Sequence, residues 1–204
     1  AIRDGHRSFA IPAGVHRLDG HDLLVDGARD FAIAPEPGAA VRLVFRCNWG
    51  LVLRSCTNVS VRGLTIAYDP PCFSQGVVTG TSGSSIRFQV DEVFPTPDSD
   101  ARYLTAPIVK VIRWDPLTRL RVGKTLKLAY NTSERAIRHL GGRSYELGTG
   151  ASEGTEVGQL LTVGPRAGHT VLLTNCSACS VLGLTVHGSS DMALVEYGGA
   201  GANV

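Results

Sequence analysis

Apolar and polar residues alternate along Leu51–Tyr68, LVLRSCTNVSVRGLTIAY, where Leu51 and Leu53, Val59 and Val61, then Leu64 and Ile66 are separated by polar or small positions. A period of two over runs this short predicts strands with one buried face, joined by tight turns at Cys56-Thr57-Asn58 and Arg62-Gly63. The same phrase returns as Val171–Gly188, VLLTNCSACSVLGLTVHG, at a constant spacing of 120 (171 less 51). The copies share Leu53/Leu173, Cys56/Cys176, Ser60/Ser180, Val61/Val181, Gly63/Gly183, Leu64/Leu184 and Thr65/Thr185. A fainter copy starts at Leu23, LLVDGARDFAIA, at a spacing of 28 (51 less 23), and sets Val25 over Leu53, Asp30 over Asn58, Phe31 over Val59 and Ile33 over Val61.

One such unit cannot bury its own apolar face, so it must stack on another of the same shape, which is the logic of solenoids. The expected fold class is therefore all-β, with the repeats forming successive coils of a parallel β-helix. Equivalent residues would then lie about 4.8 Å apart and pack like on like. Three interior rows follow: Val25, Leu53 and Leu173; Phe31, Val59 and Cys179; Ile33, Val61 and Val181. Ala28, Cys56 and Cys176 fall at one small inward corner. Asp30 and Asn58 share a turn position that tolerates left-handed backbone, and Gly63 and Gly183 mark another corner where a positive φ costs little.

The register breaks at Asp69-Pro70-Pro71 and resumes only at Val171. Between them Ile86–Val90 alternates strictly, Ile108–Trp114 and Thr125–Tyr130 alternate in part, and Gln159–Val163 supplies a last strand, while Asn131–Leu140 has room for one short helical turn. This pattern predicts a small inserted antiparallel β-barrel or sandwich. The expected organisation is an N-terminal cap with the first coils over residues 1–70, the insertion over 71–168, and the resumed coil over 169–204.

A hydrophobic content of 43% over 204 residues is enough for a sizeable core, and the formal charge of +2 supplies no basic field of the kind nucleic-acid binding needs. No apolar run is long enough for a membrane span. The five cysteines are an odd number without regular disulfide spacing. Cys176-Ser-Ala-Cys179 has a C-x-x-C form, yet the strand register puts Cys179 in the core, so buried free thiols are expected rather than a redox or zinc site. No cofactor is expected. The start at Ala1 and the uncapped stretch ending at Val204 read as a piece of a longer solenoid.

The phrases IPAG-V-RL (from Ile11), NVSVRGLTIAYDPP (from Asn58), Phe73-Ser-Gln75-Gly76 and NCSACSVLGLTVHGSS followed by DMALVE (from Asn175) resemble right-handed parallel β-helix proteins of the pectin-lyase-like superfamily. Coils interrupted by a β-barrel insertion are similar to the inverting α-galactosidases of glycoside hydrolase family 110. The resemblance implies an extracellular or periplasmic enzyme that hydrolyses terminal galactosides of an oligosaccharide or polysaccharide. It also implies catalytic aspartates on later coils, beyond Val204, so none is carried over onto this chain.

Independently of family, an inverting glycosidase needs a carboxylic acid and a carboxylate roughly 6.5–9.5 Å apart. The cluster His187-Gly-Ser-Ser-Asp191-Met-Ala-Leu-Val-Glu196-Tyr197 holds the late carboxylates, so Asp191 and Glu196 are the catalytic candidates, set against a turn-capping Asp and a solvated Glu. His187, Tyr197, Trp114 and Gln75 are candidates for substrate contact: an outward imidazole, a phenol, an indole for stacking on sugar C–H faces, and an amide at the corresponding exit of the second coil. The bland readings are an inert surface histidine and a core tryptophan, and Trp49 is weighed in the same way as Trp114. A non-catalytic carbohydrate-binding or structural β-helix is the competing class. A polysaccharide lyase is a further alternative, made less favourable by the absence of a D-x-D-x-D calcium cluster.

Overall fold

The computed structural model describes residues 5–47, 49–99, 108–129, 137–148, 154–165 and 168–200. All the elements in them are strands, and no described helix is long and apolar enough to cross a membrane. The chain divides into two compact units, Ala1–Asp69 with Gly168–Val204, and Pro70–Ala167.

The first unit opens with β1 (Ser8–Ile11), β2 (Gly14–Leu18), β3 (Leu23–Asp26), β4 (Arg29–Pro35), β5 (Val41–Phe45), β6 (Leu51–Arg54), β7 (Thr57–Arg62) and β8 (Thr65–Tyr68). It closes with β16 (Val171–Thr174), β17 (Ser180–Leu182), β18 (Thr185–His187) and β19 (Leu194–Tyr197). These form three four-stranded sheets, β1-β4-β7-β17, β2-β5-β8-β18 and β3-β6-β16-β19, and successive strands visit the sheets in turn. Every pairing within them is parallel.

The repeat predicts this register. Val25 pairs with Leu53 and Leu53 with Leu173, while Phe31 pairs with Val59 and Ile33 with Val61. Apart from Val181, which pairs with Val61 but is only half-buried, the members of the three rows are buried, Cys179 included. The corner residues Ala28, Cys56 and Cys176 are buried as well. The second residues of β4 and β7, and the matching position just before β17, take left-handed backbone: Asp30, Asn58 and Ala178 have φ of 50°, 53° and 52°. The side-chain amide of Asn58 donates to Asp30 Oδ1 at 2.7 Å, so the turn column is also hydrogen-bonded along the stack. Gly63 and Gly183, at φ of 70° and 59°, take the second corner.

The second unit contains β9 (Ser74–Ser82), β10 (Ser85–Val90), β11 (Ile108–Trp114), β12 (Arg121–Ala129), β13 (Ile137–Gly141), β14 (Ser144–Gly148) and β15 (Leu160–Pro165). They make one antiparallel sheet in the order β12-β11-β15-β9-β10-β14-β13. One face of it gathers Val78, Ile86, Phe88, Val90, Val109, Val111, Ile137, Tyr145, Leu147, Leu161 and Val163 into a single buried cluster. A sheet whose face converges on itself must curl, and register shifts at Arg87/Phe88, Val111/Arg113 and His139/Gly141 supply local bends.

The expected barrel is corrected by this topology. Closure needs its two edge strands to pair, and among the described residues β12 and β13 do not pair and no second sheet of this unit completes a sandwich. The helical turn expected within Asn131–Leu140 is absent from its described part, where Ile137–Gly141 is strand; residues 131–136 lie outside the described residues.

Candidate functional site

In the first unit the residues leading into β16 meet the turn leading into β19. The backbone N–H of Thr170 donates to Met192 O at 3.1 Å and that of Val171 to Ala193 O at 3.0 Å, which pins the two segments together. Thr170 is fully buried, and its hydroxyl accepts from Tyr68 Oη at 2.8 Å and donates to Ser189 Oγ at 3.0 Å. Ser190 Oγ donates to Gly168 O at 3.0 Å. Gly50 lies against this segment so closely that a Cβ there would overlap the carbonyl oxygens of His169 and Thr170.

On this scaffold Asp191, His169 and Tyr197 come together. The Asp191 side chain is 9% exposed and that of His169 16%, with Asp191 Oδ2 3.8 Å from His169 Nδ1. This separation is too long for a hydrogen bond, and Nδ1 is buried with no hydrogen-bond partner among the described residues. The ring of Tyr197 is tilted 55° against the imidazole, with centroids 6.1 Å apart, and the tyrosine is 52% exposed. A carboxylate facing an imidazole beside an accessible phenol offers an acidic group, a proton acceptor and a ring face in one place.

The other sequence candidates of this unit stand apart from that contact. Glu196 is exposed on β19, where it pairs with Leu173 while its neighbour Val195 turns inward. His187 ends β18 exposed, in register with Ala67. His169 escaped the sequence reading. Its position matches Trp49 at the spacing of 120 and His21 at the further spacing of 28, so extending the repeat two residues upstream of Leu51 would have found it.

In the second unit the structure joins Trp114 to Gln75 through a residue the sequence did not single out. Trp114 Nε1–H donates to Thr162 Oγ1 at 2.8 Å, and the Thr162 hydroxyl donates to Gln75 Oε1 at 3.1 Å. Because the threonine oxygen accepts from the indole, its own hydrogen is left to donate, which fixes the Gln75 oxygen toward it. Trp114 is half-buried on the face opposite the core cluster, so the core reading of this tryptophan is not what the structure has.

A second polar group in that unit is centred on Asp98, which accepts from Tyr145 Oη at 2.6 Å and lies 3.4 Å from His139 Nδ1. Burial opposes ionisation of Asp98, but hydrogen bonds from Tyr145, Thr96 and its own backbone N–H outweigh it and hold the carboxyl below the usual aspartate range. The same contact, added to burial, raises the Tyr145 phenol above its ordinary value.

All five cysteines are buried and unbridged. Burial pushes the thiols of Cys56 and Cys179 up, the opposite of what a reactive or metal-binding thiolate requires. Among the described residues no three His, Cys, Asp or Glu side chains are gathered closely enough to hold a metal ion.

The chain matches no protein-family model and no curated protein.

Proposed function

We propose that the chain is a right-handed parallel β-helix, interrupted by an antiparallel β unit, and part of a secreted carbohydrate-active protein that hydrolyses α-galactoside-type bonds. The observation that carries this reading is the succession of three parallel sheets in register, each strand stacked on its counterpart from the preceding copy. Such a stack sets outward side chains about 4.8 Å apart along a face, so groups one or two strands apart span the carboxylate separation that inverting hydrolysis requires, roughly 6.5–9.5 Å. The segments around β16 and β19 carry acidic and aromatic groups that suit this reading: Asp191 against His169, Tyr197 beside them, and Glu196 exposed on β19. In this reading Tyr197 and His187 contact the sugar, and Asp191 and Glu196 are the acidic groups of this chain that border it.

A non-catalytic carbohydrate-binding module is the second reading, favoured by one observation. Asp191 is nearly buried against an imidazole rather than presented to an open site.

The test is aglycone release from a panel of aryl α- and β-glycosides, with Asp191→Asn and Glu196→Gln alongside. Release from α-galactosides with inversion of the anomeric centre supports the hydrolase. A drop of roughly a hundredfold or more in either variant would assign that carboxylate to the chemistry. Saccharide binding without release favours the module, and an unsaturated product would replace hydrolysis by elimination.

A further inference from the structure

The outer face of the seven-stranded sheet carries a row of side chains that the catalytic reading does not use. Trp114 on β11, Leu160 on β15, Val77 on β9, Gln89 on β10 and Ser144 on β14 are register partners, each paired with the next across five adjacent strands. Their sequence neighbours Arg113, Leu161, Val78, Phe88, Val90 and Tyr145 are the buried ones, so the row faces away from the core. Val77 is 41% exposed and Gln89 is also exposed, while Trp114, Leu160 and Ser144 are half-buried.

The polar members of this face are held in fixed orientations. Trp114 is tied to Thr162 and Thr162 to Gln75, and the hydroxyl of Ser144 donates to Gln89 Oε1 at 2.6 Å. Both glutamine oxygens are therefore occupied, which leaves the amide N–H groups as the ones available to donate to a ligand. The charges beside the row gather on Glu146, which receives both Arg87 at 2.9 Å and Arg138 at 2.6 Å, and its carboxyl is held below the usual range by Arg138 and then Arg87. Lys110, further along β11, is itself engaged.

We propose that this face binds a neutral oligosaccharide laid across the strands, from Trp114 to Gln89. The inference rests on the carbohydrate reading above and adds a second contact surface, carried by the second unit alone. Three strand steps separate the two ends, about 14 Å, the span of a short oligosaccharide. The indole with Leu160 and Val77 meets the apolar C–H faces of the sugars, and the amides of Gln75 and Gln89 donate to hydroxyl oxygens. The side chains that meet the ligand on this row, an indole, two aliphatic groups and two amides, carry no charge of their own, so the complementary ligand is neutral.

Calorimetric titration of the whole protein with a neutral galactotriose, and with trigalacturonate for comparison, tests this. The expected result is saturable binding of the neutral sugar, weakened roughly tenfold in Trp114→Ala and about fivefold in Gln89→Ala, a loss equivalent to one hydrogen bond. Because Trp114 is half-buried, the exposed Gln89 provides the variant least able to disturb folding, and circular dichroism checks both. Binding that survives both substitutions but is lost in Asp191→Asn and Glu196→Gln overturns this surface while leaving the carbohydrate reading in place. Preference for trigalacturonate also overturns it. No binding of either sugar by the unaltered protein overturns the surface and the wider reading together.

Discussion

Asp98 ties the loop that follows β10 to the β13–β14 hairpin, through Tyr145 Oη at 2.6 Å and the facing imidazole of His139, whose ring stacks on Tyr145 at 4.8 Å and 13°. Its folded pKa is depressed below the ordinary value of about 3.9. The stabilisation is therefore fully present above that value and is lost as pH falls through the lower folded pKa. Asp98→Asn is expected to lower stability at neutral pH by about 1–2 kcal/mol, the worth of a hydrogen bond to a charged group at a partly exposed site. Denaturant unfolding of variant and parent should converge as the pH falls from about 3.9 through the lower folded pKa, below which both present an uncharged side chain. An unchanged gap across that range would contradict the account. At Gly50 the constraint is steric: the atoms a methyl would meet are the backbone carbonyl oxygens of His169 and Thr170, which cannot turn aside. Gly50→Ala should cost about 2–3 kcal/mol, read from the midpoint of denaturant unfolding. Several residue-scale features were legible from residue type, as with Asp30 and Asn58, whose left-handed turns follow from side chains that tolerate that backbone. His169 was legible only as a repeat position shared with Trp49 and His21, and Thr162 was not legible at all, because a single polar residue acquires a role only from the partners that folding brings to it.

At the scale of elements, the repeat spacings of 28 and 120 set the pairing of β3 with β6 and of β6 with β16, since a one-residue slip would turn every interior side chain outward. Leu53 sits at the centre of one interior row, fully buried between Val25 and Leu173. Leu53→Ala is expected to destabilise the first unit by about 3 kcal/mol, while Leu24→Ala, on the exposed side of the neighbouring strand, should stay within about 0.5 kcal/mol. Equal costs at the two positions, measured by thermal or denaturant unfolding, would contradict the register. Alternation gave β10, β11, part of β12 and β15 of the second unit, but not β9, β13 or β14, nor the question of closure. One-sided burial is common to barrels, sandwiches and curled sheets, and only the pairing of edge strands distinguishes them. The imperfect alternation of Ile108–Trp114 has a specific cause. Arg113 occupies a core-facing position, buried, and its guanidinium donates to Thr155 Oγ1 at 3.3 Å and lies where side chains at Gly123 and Gly154 would otherwise be.

For the whole molecule, two units with separate cores imply two separable responses to damage. Ile86 lies fully buried in the cluster of the seven-stranded sheet, as Leu53 does in the stacked sheets. Calorimetry of Ile86→Ala and Leu53→Ala should lower different transitions, and a single transition lowered equally by both would contradict the division. The five buried thiols give a further global check. None should react with a thiol reagent until unfolding, and prompt labelling of any one would show an opening that the fold does not have. The central claim is that both units handle saccharide. An isotope-edited titration of the protein with a neutral α-galactosyl oligosaccharide tests it most directly, because it reports each residue separately. Saturable shifts confined to the surroundings of Tyr197 and His187 and to the row from Trp114 to Gln89 are the predicted result. A spectrum that does not move at saturating sugar would contradict it.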